Sequence, residues 1–71
     1  MGRKSTTIPK APVGRILMQA GAKRVSMDAM QALSEVLTEY AHKIGSQAVQ
    51  LARHGGRKTI HEEDIKLAAK Q

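Results

Sequence analysis

Apolar positions in this chain recur at steps of three and four over three separate stretches, with prolines and glycines standing between them. In the first stretch Val13, Ile16, Leu17 and Ala20 fall at i, i+3, i+4 and i+7. That spacing predicts a helix over about 12–20, with Pro12 at its first position and Gly21 as its stop. Pro9 and Pro12 bias Ile8 and Ala11 toward extended geometry, so the ordered domain is expected to run over 9–71 behind a basic tail over 1–8. The second stretch carries Met30, Leu33, Val36, Leu37, Tyr40, Ile44, Ala48 and Leu51 without a proline, and predicts one long helix from Ser26 to His54. Ser26 is suited to cap its start, Asp28 complements the dipole there, and Arg53 and His54 suit its last turn ahead of Gly55 and Gly56. Gly45 lies inside this helix at a cost on the order of 1 kcal/mol relative to Ala, which suggests close packing of another backbone rather than a stop. The third stretch begins at His61 as cap, loads Glu62, Glu63 and Asp64 into the first turn, and offers Ile65, Ala68 and Ala69 as a stripe. The predicted class is all-α: short helix, long helix, short helix.

Length changes this picture. The chain has 71 residues, close to the lower limit for a domain that folds alone. A helix from Ser26 to His54 rises roughly 43 Å, whereas a compact domain of this size has a radius of gyration near ~11 Å. Two short helices cannot cover that stripe from end to end. A second copy crossing the long helix is the simplest cover, which predicts an obligate homodimer.

Composition removes most of the other ways to stabilise so small a fold. There is no cysteine, so disulfides and thiolate metal or redox sites are excluded. His42, His54 and His61 share no i, i+4 face, so neither a metal nor any other cofactor is expected. Tyr40 is the only aromatic residue, leaving a core of small aliphatic groups and methionine. No apolar run is long enough for a spanning helix or a secretory signal core, which predicts a protein of the cell interior with no membrane partner. No glycine-rich phosphate loop, carboxylate pair or nucleophile with its base is legible, so an enzyme is not expected.

Charge then points to a partner. Twelve Lys and Arg against six Asp and Glu give a net charge of +6, which favours a polyanion. The cations cluster at the two connectors, in Lys23 and Arg24 and again in Arg57 and Lys58, rather than along one helix face. That clustering disfavours a peptide that coats membranes or RNA.

Two segments, PKAPVGRILMQAGAKRVS and IGSQAVQLARHGGRKTIHEEDIKLA, make the chain over about 9–71 resemble an archaeal histone, the minimal form of the histone fold. The resemblance implies a handshake homodimer whose long helices cross, with dimers joining through a four-helix contact to wrap double-stranded DNA. It implies a chromosome-associated protein of the cytoplasm, with other histone chains as candidate co-assemblers. By position, Arg15 and Arg24 are similar to the arginines that the family presents to phosphates and the minor groove, and Lys58 and Thr59 to its second-connector phosphate contacts. Head-to-tail pairing would gather Lys23, Arg24, Arg57 and Lys58 into one patch at each end of a dimer. Arg57 and Asp64 are similar to the pair that braces the second connector. Leu51, His54 and Asp64 match the dimer–dimer contact, and Gly21 the small residue at which dimers stack. Met18 and Gln19 depart from the pattern, standing where many relatives carry charge. An alternative is a histone-fold subunit of a heteromeric transcription-type complex, against which Arg15, Arg24 and Lys58 together speak.

Overall fold

A computed structural model describes residues 8–70, and these form three helices with no strand among them. Helix α1 is Lys10–Gln19, α2 is Met27–His54 and α3 is Glu62–Ala69. The all-α order expected from periodicity is therefore the order observed. The tail over 1–7 lies outside the described residues.

The start of α1 differs from expectation. Pro9 is its N-cap with extended backbone (φ −63°, ψ 148°), and Pro12 sits at the third helical position rather than the first. Any of the first turn's N–H groups lacks an intrahelical acceptor, so a residue without one is tolerated there. Helix α2 starts as expected: the Ser26 hydroxyl accepts from the Ala29 N–H at 3.0 Å, closing the first turn of a 28-residue helix that passes through Gly45 unbroken.

Contacts along the chain fall into two units, one ending at Glu39 and one starting at Tyr40. The first unit contains α1, the first connector and the N-terminal part of α2. Its fully buried positions include Val13 on α1, at 1% exposure, and Ser34 on α2, at 0%. Gly14 is buried because a Cβ there would lie 2.6 Å from the Met30 sulfur; the bare glycine lets α1 approach α2 at that point. The Ser34 hydroxyl donates to the Ile8 carbonyl, and the Thr38 hydroxyl donates back to the Ser34 carbonyl at 2.8 Å. Two buried hydroxyls are thus satisfied, and Ile8, which the sequence pattern assigned to the tail, is half-buried against α2.

The second unit contains the C-terminal part of α2, the second connector and α3. Ala48 and Ala52 on α2, with Asp64 and Ala68 on α3, are its buried positions. Both pairs have i, i+4 spacing, so each helix turns one narrow face of small side chains inward.

The apolar stripes are only partly covered within the chain, as expected of two short helices set against one long one. Ile16 is 53% exposed, Val36 58% and Tyr40 52%, while Ser34 and Thr38 take the buried face of α2. Ala20, Ile65 and Ala69 are also exposed, and Leu33, Leu37, Ile44 and Leu51 are half-buried. The physical reason is the shape of the covering helices: short elements seat where small residues admit them and leave the bulky stripe uncovered.

Candidate nucleic-acid interface

Both connectors are launched by the same helix stop. At the end of α1 the Gly21 N–H donates to the Met18 carbonyl at 3.0 Å and the Ala22 N–H to that of Leu17 at 3.1 Å. At the end of α2 the Gly56 N–H donates to the Arg53 carbonyl and the Arg57 N–H to that of Ala52, both at 2.9 Å. These are paired six-to-one and five-to-two closures that require a left-handed residue, and Gly21 (φ 121°) and Gly56 (φ 72°) supply it. Each closure turns the chain sharply out of its helix and delivers the basic residues that follow.

In the first unit Lys23 and Arg24 are exposed on the connector and Arg15 is exposed on α1. Gly21 is exposed as well, with open space where a Cβ would stand. In the second unit Lys58 and Thr59 are exposed, while Arg57 is half-buried. The two connectors belong to different units.

The Arg57 guanidinium is engaged within its own unit. It grips Asp64 with two parallel bonds, Nη1 to Oδ2 at 2.9 Å and Nη2 to Oδ1 at 3.1 Å, and Nη1 also donates to the Thr59 carbonyl at 3.1 Å. Asp64, only 5% exposed, accepts a further bond from the His61 N–H at 2.8 Å, which caps α3. The structure therefore brings Arg57 and Asp64 together and fastens both ends of the second connector to them. The guanidinium hydrogen bonds hold the Asp64 carboxyl down to about 2, assisted by the His61 N–H, and the same pairing raises Arg57 above its ordinary value. Thr59 thus contributes a backbone acceptor as well as an exposed side chain. Sequence reasoning had no signal for that bond, since every residue carries a carbonyl.

Of the residues expected at a dimer–dimer contact, His54 is exposed, Leu51 half-buried, and Asp64 buried with both oxygens occupied within its own chain. Among the described residues no group of three or more His, Cys, Asp or Glu side chains could hold a metal, and no helix is long and apolar enough to cross a membrane.

Residues 6–69 match the family described as histone-like transcription factor (CBF/NF-Y) and archaeal histone. Among curated proteins the chain is 52% identical over 63 residues to an archaeal histone of Thermococcus zilligii, a subunit of HAN1, covering 89% of this chain and 94% of that one. It is 48% identical over 61 residues to probable archaeal histone 3 of Methanocaldococcus jannaschii, covering 86% and 91%. With three helices in the order short, long, short, two glycine-launched basic connectors and a match across nearly its whole length, this chain belongs to the family of histone-like transcription factors and archaeal histones.

Proposed function

We propose that the chain packages double-stranded DNA as a homodimer, binding phosphates without reading base edges and bending the duplex around assemblies of dimers. Family membership supports a histone-fold DNA-packaging role. The observation that carries the finer reading is the display of Lys23, Arg24, Lys58 and Thr59, exposed on short connectors that are pinned by a glycine closure at one end and a helix cap at the other. Cations carried on a backbone held in this way suit a partner of regularly spaced charge. Arg15 adds a cation from α1, of a kind suited to inward-facing minor grooves. Arg57 acts in this reading chiefly through shape, since its bond to the Thr59 carbonyl sets how Lys58 and Thr59 are offered.

Dimerisation is supported by the uncovered stripe on α2, where Val36 and Tyr40 stand one helical turn apart and more than half exposed. Assembly beyond the dimer through Leu51, His54 and Asp64, and stacking at Gly21, belong to the same reading. In this reading the protein acts on the chromosome in the cytoplasm, with other histone chains as candidate partners.

Nuclease digestion of mixed-sequence DNA saturated with the purified protein tests the proposal. Protected lengths rising in regular increments are the expected result and mean dimers adding one after another. A single protected size means closed particles. Absence of protection overturns the wrapping reading and favours a chain that folds only with a different partner.

A further inference from the structure

Met18 is 52% exposed on α1, an apolar side chain one helical turn from the exposed Arg15. It is not part of the apolar stripe of that helix, which runs through Val13, Ile16, Leu17 and Ala20. At about 100° per residue, Met18 stands roughly 60° around the helix from Arg15 and roughly 160° from Ile16. Val13 and Gly14 are buried between the flanks that Met18 and Ile16 mark. A second copy that covers the stripe, as the homodimer reading requires, meets α1 on the Ile16 flank and leaves Met18 on the side of Arg15. The residues at i−7 and i−4 from Met18 are Ala11 and Gly14, too small to cover it. The Gly21 N–H, donating to the Met18 carbonyl at 3.0 Å, closes the turn that carries it.

A thioether gives a phosphate nothing to bind. The walls of the minor groove are different: deoxyribose lines them with carbon, and methionine is among the apolar side chains that proteins set into that groove. Its unbranched, polarisable chain fits an irregular surface. Sugar recurs at every base pair, so contact with it carries no base readout and agrees with packaging of any sequence. We infer that Met18 packs on deoxyribose at the minor groove beside Arg15 and supplies a share of DNA affinity that salt does not screen. The inference rests on the DNA-packaging reading and adds to it a contact of a second kind. Arg15 and the connector cations set how steeply binding falls with salt; Met18 sets how much remains when salt is high.

The test is fluorescence anisotropy of the full chain on a labelled mixed-sequence duplex, titrated at several salt concentrations for wild type, Met18→Gln and Met18→Leu. Glutamine keeps the length, neutrality and helix propensity of methionine and loses only its apolar end. Met18→Gln is expected to bind about fourfold more weakly at every salt concentration, the effect of about one buried methylene group, with an unchanged slope of log affinity against log salt. Met18→Leu keeps wild-type affinity. Melting temperatures without DNA stay equal for all three, because Met18 is exposed in the fold. Equal binding by wild type and Met18→Gln overturns the inference, as does a loss shared by Met18→Leu, since apolarity is then not what the DNA meets. A lowered melting temperature for Met18→Gln overturns it too and puts Met18 under a second copy. Wild type that fails to bind the duplex removes the packaging reading itself, an outcome distinct from equal binding by the variants.

Discussion

At the scale of the residue, Asp64 ties two parts of the fold together. It holds Arg57 by a two-pronged bond and caps α3 through the His61 N–H, so one carboxylate fixes a connector and a helix start together. Its carboxyl is held at about 2, below an ordinary value of 3.8. A carboxyl depressed in the folded state contributes stability that is fully present above the unfolded value and is lost as pH falls through the folded one. Denaturant unfolding followed from neutral pH down to about 2 should show wild type losing its advantage over Asp64→Asn across the window between roughly 4 and 2, and retaining it unchanged above. Arg57→Lys keeps the charge but gives up the fork. It should lower the melting temperature by several degrees, whereas a residue serving only as a phosphate contact would tolerate the exchange.

Gly56 supports a separate prediction at the same scale. Its φ of 72° is one that residues with a Cβ adopt at a cost, although a Cβ there would meet no atom within 4 Å. Gly56→Ala should therefore destabilise by about 1–2 kcal/mol through backbone conformation alone, measured by chemical denaturation.

At the scale of the element, α2 is long because nothing in its sequence stops it before Gly55, and it begins where Ser26 satisfies an N–H. Replacing Ser26 by Ala should cost about 1 kcal/mol and show first as fraying of the initial turn in amide hydrogen exchange. The helix carries two different faces near its middle. Ser34 and Thr38 are buried within the chain, whereas Val36 and Tyr40 are exposed. The face with Ser34 and Thr38 is buried at the expense of polar atoms that must then find partners. They find them at the Ile8 and Ser34 carbonyls. The bulky face is left uncovered within the chain.

At the scale of the whole molecule, the proposed homodimer would make stability a function of concentration. If a second copy covers Val36 and Tyr40, the melting temperature should rise with protein concentration, and Tyr40→Glu should abolish the rise while lowering stability. A concentration-independent transition would remove the homodimer. DNA binding should weaken steeply with salt, by about 0.9 in log affinity per neutralised phosphate per decade of salt. Lys58→Ala should flatten that slope by about 1, the share of a single phosphate, equally for unrelated DNA sequences. An unchanged slope would remove Lys58 from the interface.

The sequence by itself determined the features that depend on neighbours a few positions away. The three helices, the Ser26 cap, the glycine stops and the positions of the basic connectors are all set within one or two turns of chain, where propensity and capping act. Arg57 and Asp64, seven positions apart, were paired by resemblance, and their two-pronged geometry came from the structure. Only the tertiary structure decided which face of each helix is buried. Periodicity marks Ile16, Val36 and Tyr40 as core as strongly as Val13, because it counts apolar groups without knowing what will cover them. The choice fell to close packing, where Gly14 admits Met30 and where Ser34 reaches back 26 positions to the Ile8 carbonyl. A contact so distant in sequence leaves no local trace, and a face the chain itself leaves uncovered looks, along the sequence, the same as a face already buried.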